Sequence, residues 1–160
     1  MDITLRKALI EDSKIILKWR NESTTVPWMG SAQVLSFAEH DRWFKKAISD
    51  PSCLFFIIEV NSEPVGQIRY HLTSSMNNYA RVSINITQKM HSKGIASTAF
   101  RQGNDLVREI GFAPKVFAHV RQDNVGSIKA MENAGYDKSG NIEKNGVKHL
   151  VMLYDVNEET

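Results

Sequence analysis

The segment Gln88-Lys89-Met90-His91-Ser92-Lys93-Gly94-Ile95-Ala96-Ser97 constrains the fold more than any other part of the chain. Ahead of it, Ala80 to Thr87 alternates between apolar and polar residues as a strand does. Beyond it, Ala99, Leu106 and Ile110, with Phe100 and Val107 beside them, recur at helical spacing as far as Gly111. A strand that passes through a short, glycine-containing turn straight into a long helix leaves backbone N–H groups unpaired at the helix start. Those amides and the partial positive charge of the helix end attract anions, and a turn without bulky side chains lets a phosphate approach them closely. Lys93 adds a movable cation. Such a turn also serves simply to reverse the chain, so the segment needs support from elsewhere.

The order of elements around this junction reads as an α/β domain with a mostly antiparallel sheet. Thr4 to Arg6 forms a short first strand, and Asp12 or Ser13 caps a helix carrying Ile15, Ile16 and Trp19 and fading near Asn21. After an indistinct loop, Ser36-Phe37-Ala38-Glu39 fits a capping box, so a second helix presents Trp43, Phe44, Ala47 and Ile48 and stops before Pro51. Leu54 to Val60 is apolar almost throughout, as a strand buried on both faces would be, and Asn61-Ser62-Glu63-Pro64 turns the chain. Val65 to Leu72 then places Gln67, Arg69 and His71 on one face, and the following strand places Arg81, Ser83 and Asn85 on one face. These faces are the candidate floor of a cleft. Gly103 lies inside the long helix, where Gly costs roughly 1 kcal/mol relative to Ala, and close packing is one reason to keep it. Val116 to Val120 is a strand, Asn124 to Ala134 a helix closed by Gly135, and Lys148 to Val156 a final strand after a turn at Lys144-Asn145-Gly146.

A second junction follows the strand at 116–120. Asn124, Ser127 and Met131 fall at i, i+3 and i+7, so one helical face carries an amide, a hydroxyl and a thioether. Capping by Asn124 or Asp123 and packing by Met131 account for the same residues without a ligand. If the two strands lie side by side, however, both junctions open at the same end of the sheet, where one ligand can bridge them.

Composition narrows the class of protein. A chain of 160 residues with 42% hydrophobic and 24% charged residues suits a single domain over 1–160, without a linker or repeat. The lone Cys53 allows no internal disulfide, no signal-peptide run opens the chain, and a cytoplasmic setting is expected. The net charge of +2, with Lys and Arg dispersed, argues against nucleic-acid and membrane partners. No metal site is expected.

With both junctions in place, the chain resembles the GNAT superfamily of acyl-CoA-dependent N-acyltransferases over nearly its whole length. The family signature Arg/Gln-x-x-Gly-x-Gly/Ala is matched by His91-Ser92-Lys93-Gly94-Ile95-Ala96 at Gly94 and Ala96, with His91 in place of the usual first residue. The second pattern is met by Asn124, Ser127, Glu132, Gly135 and Tyr136. The resemblance implies a GNAT fold, with about seven strands splayed between the fourth and fifth and about four helices. It implies acetyl-CoA as cosubstrate, its pyrophosphate on the turn formed by His91, Ser92, Lys93, Gly94, Ile95, Ala96 and Ser97. Ile84 and Ile86 would pair their backbone with the pantetheine arm, and Asn124, Ser127 and Met131 would lie on its other side. Trp19-Arg20-Asn21, His40 with Trp43-Phe44, and Val65-Gly66-Gln67-Ile68-Arg69-Tyr70 resemble the branch that acetylates amino groups of nucleotide-linked sugars. Acetyltransferases of ribosomal-protein N-termini share the Trp-Arg-Asn pattern, and a silent acyl-CoA-binding module is a further alternative. The implied partner is a small-molecule amine, for a monomer or homodimer.

Acetyl transfer requires an unprotonated amine, donors for an oxyanion and a tolerable leaving group. The backbone N–H of Ile84 or Asn85 is the candidate oxyanion donor. His71, His119 and Glu39 are the candidate bases, since imidazole titrates near neutrality and a carboxylate can act through water. Gln67 and Arg69 suit substrate orientation, Arg being able to grip a phosphate or sugar oxygen. The resemblance places a Tyr general acid where this chain has Met131, which carries no proton; water or Tyr136 would have to replace it. Cys53 has no activating neighbour in sequence, so transfer is expected to be direct.

Overall fold

The computed structural model describes residues 1–22, 35–74 and 78–158. Seven strands form one sheet in the order β1-β2-β3-β4-β5-β7-β6. They are β1 (Ile3–Lys7), β2 (Cys53–Val60), β3 (Glu63–Leu72), β4 (Ala80–Ile86), β5 (Lys115–Arg121), β6 (Asp137–Lys144) and β7 (Val147–Asp155). Four helices cover its faces: α1 (Ser13–Arg20), α2 (Phe37–Ser49), α3 (Ile95–Ile110) and α4 (Val125–Asn133). Every neighbouring pair is antiparallel except β4 and β5. This is the splayed α/β arrangement the sequence pointed to.

Local chemistry explains most boundaries. Ser36 caps α2 by accepting from the Glu39 amide at 3.3 Å, and α2 ends before Pro51, which cannot continue a helix. Asn61 and Ser62, both at positive φ, make the tight turn between β2 and β3, so Pro64 lies inside β3 rather than in the turn. Asp12 precedes α1 without capping it by its side chain. Its carboxylate instead accepts from Arg6 at 2.8 and 2.9 Å and from the Leu9 amide at 2.7 Å, while a 3-10 turn over Ile10–Asp12 leads into the helix. The stretch read as a loop between α1 and α2 falls largely outside the described residues. The hairpin turn implies strand β6 without delimiting it, because nearly every one of its positions is exposed and no alternation marks it.

Two cores sandwich the sheet. On one face α3 and α4 pack over Ile68, Tyr70, Val82, Val116, Ala118 and Val120; on the other α1 and α2 bury Ile16, Trp19 and Phe44 against Phe55 and Ile57. Each fully buried side chain of this size, such as Phe44, stabilises the fold by about 1.5–3 kcal/mol relative to exposure. The interior glycine of α3 has a packing reason, since a Cβ at Gly103 would land on the Tyr70 hydroxyl. Tyr70 and Tyr136 both donate to Asn104 Oδ1, at 3.2 and 2.9 Å, in the middle of this core.

Candidate active site

The sheet opens where its one parallel pair ends. β4 and β5 are in register only at Ala80 with Val116 and Arg81 with Phe117, so Val82–Ile86 and Ala118–Arg121 have no ladder between them. The β3–β4 ladder decides which backbone groups face this opening. The Thr87 amide donates to Val65 O and the Thr73 amide to Tyr79 O, so by antiparallel alternation Arg81, Ser83 and Asn85 turn their N–H and C=O towards β3. Val82, Ile84 and Ile86 therefore turn theirs towards the opening. Of the two backbone oxyanion donors expected, Asn85 is excluded, because its amide serves the ladder; the Ile84 N–H faces the gap.

A cleft of about 540 Å³ lies on the α3–α4 side of the opening, lined by Ile86, His91 to Ser97, and the α4 residues Gly126, Ser127 and Ala130 among others. Gly94 sits at φ +76°, a left-handed conformation natural to glycine, and has no side-chain cap on the helix it precedes. The Thr98 amide makes the first intrahelical bond, to Gly94 O at 3.4 Å, so the amides of Ile95, Ala96 and Ser97 have no helical acceptor. Together with Ser92, at φ +62°, these form an anion-binding concavity of main-chain donors. His91, where the family signature has Arg or Gln, donates from Nε2 to Ile86 O at 2.7 Å and ties the turn to the end of β4. One lone pair of the Ile86 carbonyl is thereby engaged, which leaves the other for the pairing expected with a pantetheine arm. Asn124 accepts from the Ser127 amide at 3.3 Å, so it caps α4 while lining the cleft.

A second cleft, of about 500 Å³, shares Ile84, Asn85, Phe100, Asn124 and Ser127 with the first and continues through the opening to the α1–α2 side. Its floor is the polar face read from the alternation of β3 and β4, with Gln67 opposite Asn85, Arg69 opposite Ser83 and His71 opposite Arg81. Arg20, Trp43, His119 and His149 complete it. The lining is cationic, and no Asp or Glu belongs to it among the described residues. Burial, and then the nearby Arg20, push the Arg69 guanidinium down to about 10. Burial, reinforced by Lys144, Arg81 and His149, pushes His119 down to about 4, and its Nδ1 has no hydrogen-bond partner among the described residues.

The expected bases divide. His71 and His119 both reach this cleft, His71 with Nε2 3.8 Å from an Asp50 carboxylate oxygen. Glu39 does not: it is exposed in the first turn of α2 and lines neither cleft. Tyr136 is also removed as a substitute acid, because it is fully buried, donates to Asn104, and is pushed far up by that burial. Met131 is buried in the α3–α4 core with its edge on the second cleft. Cys53 is buried and its thiol pushed up to about 11, the reverse of what a nucleophile needs.

Sequence reasoning did not assign Arg20, Trp43 or His149 to the site. Arg20 enters only within the Trp19-Arg20-Asn21 pattern, and Trp43 as part of an apolar helical face and of the pattern with His40. Only the packing of α1 and α2 across β3 brings them to Arg69. The adjoining Asn21 donates to Leu35 O and accepts from the Leu35 amide, each at 3.0 Å, while Glu22 accepts from Thr87 Oγ1 at 2.8 Å and the Gln88 amide at 3.2 Å. The Glu22 bonds tie the end of α1 to the start of the turn at 88–97, and those of Asn21 tie it to the segment before α2.

The comparisons identify the family and the fold. A family profile described as acetyltransferase (GNAT) domain matches residues 2–137, and the chain belongs to that family and is an acetyltransferase. Solved structures share the fold at low identity. An aminoglycoside acetyltransferase AAC(6′)-Ib in complex with coenzyme A is similar at TM-score 0.85 and 17% identity, covering 96% of this chain and 95% of that one. Spermidine N-acetyltransferase from Vibrio cholerae, in complex with CoA and spermine, is similar at TM-score 0.85 and 20% identity, covering 96% and 95%. A putative phosphinothricin N-acetyltransferase follows at TM-score 0.82 and 18% identity, covering 98% and 100%. No curated protein sequence matched. No helix among the described residues is long and apolar enough to cross a membrane.

Proposed function

We propose that this acetyltransferase transfers the acetyl group of acetyl-CoA directly to a primary amine on a small molecule, and that the acceptor is a nucleotide-linked amino sugar. One observation carries the transfer: a cleft built from main-chain donors and a cleft built from side chains meet at the open edge of β4, over Ile84 and Asn85. Lys93 to Ser97 hold the pyrophosphate of CoA, and the pantetheine arm lies between β4 and β5, with Asn124, Ser127 and Met131 on its far side.

The amine enters from the α1–α2 side and its lone pair attacks the thioester carbonyl. As the C–N bond forms, the Ile84 N–H receives the developing oxyanion. Collapse breaks the C–S bond, and CoA leaves as a thiolate, tolerable because a thiol titrates near ~8.5 and Met131 has no proton to give. The free amine is favoured by the floor itself, since Arg69 and Arg81 destabilise an ammonium beside them. His71 takes the remaining proton through water. His119 is too weakly basic at neutrality to be preferred over it. Gln67 and Arg69 orient the acceptor, and Arg69 supports the sugar-nucleotide reading, because a guanidinium beside Gln67 can grip a phosphate with two parallel N–H groups.

Release of free CoA thiol from acetyl-CoA, measured across nucleotide-linked amino sugars, simple amino sugars, polyamines and peptides, tests both levels. Turnover with the sugar nucleotides is expected. Turnover only with peptides would replace the acceptor assignment, and CoA binding without turnover on any amine would replace the transfer.

A further inference from the structure

The two arginines at the acceptor end have a feature the transfer reaction does not explain. The guanidinium carbons of Arg20 and Arg69 lie 4.5 and 5.0 Å from the centroid of the Trp43 ring, so two like charges converge on one side chain. Both are depressed by burial, and Arg69 further by Arg20. Among the described residues neither meets a carboxylate: Arg69 approaches only Gln67 Oε1 and Arg20 only His40 Nδ1, each at 3.5 Å. Of the residues outside the described ones, 23–34 and 75–77 contain no Asp or Glu, and the only acid is Glu159 at the C-terminus. A structural arginine elsewhere in this protein is treated differently, for Arg6 holds Asp12 at 2.8 Å and Glu59 at 3.0 Å. Both guanidiniums are only half-buried and line the open cleft, but partly desolvating two converging cations without a counter-charge is unfavourable, and what would compensate it is an anion placed between them.

We propose that Arg20 and Arg69, held on Trp43, form a seat for an oxyanion of the acceptor, a phosphate or carboxylate carried on the same molecule as the amine. The inference rests on the reading that this cleft receives the acceptor. Guanidinium forks match such groups in paired hydrogen bonds, and stacking on an indole fixes their planes before the ligand arrives. His40 is the positioning residue behind Arg20. Its Nε2 must donate to Ser13 O, at 2.8 Å, so the neutral ring turns the lone pair of Nδ1 towards Arg20. The same seat works against polycations such as spermine, whose ammonium groups would face Arg20, Arg69 and Arg81 with no Asp or Glu in the cleft lining among the described residues.

The test uses matched amines that differ only in the anion: glucosamine against glucosamine 6-phosphate, and an amino acid against its amide. In acetyl transfer, kcat/KM is expected to favour the anionic member of at least one pair by about 10- to 100-fold, the range expected for charge-assisted hydrogen bonds. R20Q and R69Q should each erase that preference while leaving the KM for acetyl-CoA unchanged. Equal turnover of both members of both pairs, or a preference for spermine, overturns the proposal while leaving acetyl transfer standing. If no amine is acetylated, binding of inorganic phosphate decides alone, measured by calorimetry on protein saturated with CoA so that the turn at 93–97 is already filled. Loss of that binding in R69Q supports the seat, and its absence in the unaltered protein overturns it. Should either variant fail to fold, the paired substrates and phosphate binding on the unaltered protein still decide whether the seat exists.

Discussion

The two clefts that meet at β4 are built by opposite means. The cleft proposed for the CoA pyrophosphate is main chain: amides of Ile95, Ala96 and Ser97 without a helical acceptor, aimed by one left-handed glycine within a ten-residue stretch. The cleft proposed for the acceptor is side chain: Arg20 from α1, Trp43 from α2, Gln67 and Arg69 from β3, Arg81 from β4, His119 from β5 and His149 from β7. A main-chain site tolerates changes of side chain and recognises a constant partner, whereas a side-chain site changes partner with each substitution. On the proposed reading, this protein keeps one half of its chemistry generic and places its specificity in the other.

The sharpest way to break that division is at the seam. A Cβ at Gly66 would land on the Asn85 carbonyl oxygen and press on the Ile86 Cα at 3.0 Å, and both are backbone atoms that cannot swing away. G66A should push the end of β4 sideways, and with it the Ile84 amide and the mouth of the opening. Misplacement of reacting groups by about 1 Å can cost roughly 10²-fold in rate, so kcat is expected to fall by about that much in steady-state acetyl transfer. If kcat is unchanged, Ile84 is not positioned by this contact and the seam is softer than the ladder implies.

Within the cofactor half, the next effect should come from the one residue whose backbone is special. G94V forces a β-branched residue into φ +76°, although nothing within 4 Å obstructs its Cβ. Affinity for CoA is expected to weaken at least about tenfold, equivalent to ~1.4 kcal/mol, by calorimetry. K93A and S97A, which leave the amides in place, should each weaken it by less than about threefold, as expected of an exposed charge and an uncommitted hydroxyl. A larger loss in K93A than in G94V would show that the cradle is a side-chain site after all.

On the acceptor side, H40F tests support rather than contact. Phenylalanine keeps the stacking on Phe44, whose ring lies 6.0 Å away and nearly parallel, but removes the acceptor for Arg20 and the donor to Ser13 O. The acceptor KM should rise by several-fold to about tenfold, the worth of one modest hydrogen bond, with kcat and CoA affinity nearly unchanged. A fall in kcat alone would place His40 in the chemistry instead.

The same division explains what was legible in the chain. The βα junction at 88–97 could be read because its function needs only order: a strand, a small turn, a helix start. The polar floor at Gln67, Arg69, Ser83 and Asn85 could be read because strand alternation is local. The grouping of Arg20 and Arg69 over Trp43 could not, since three side chains far apart in sequence meet only through the packing of α1 and α2 on the sheet. Tyr136 looked available for chemistry because burial by α3 and a bond to Asn104 leave no trace in neighbouring residues. Asn85 and Ile84 looked equivalent as donors because the direction of an amide depends on the register with β3.

The smallest effect expected is one of pH, and it too should separate the halves. His40 and His119 are both held below the ordinary imidazole range by burial, His119 at about 4. For His40 the Ser13 carbonyl and Asp41 oppose that shift and Arg20 adds to it, with burial the largest influence. The folded protein thus prefers both rings neutral, while the unfolded chain protonates them near ~6.5. Between those values the unfolded state binds more protons, so stability rises with pH; the contribution is fully present above about 6.5 and is lost progressively as pH falls towards 4. Charging His40 also sets a cation against Arg20 and removes the lone pair that steadies it. The KM for an anionic acceptor should therefore climb as pH falls below the ordinary imidazole range, where His40 takes its proton, and the Kd for CoA, which on the proposed reading rests on main-chain amides that do not titrate, should change less over the same range. H40F should flatten the first profile without touching the second, and a profile unchanged by H40F would assign the pH dependence to another group in the acceptor cleft.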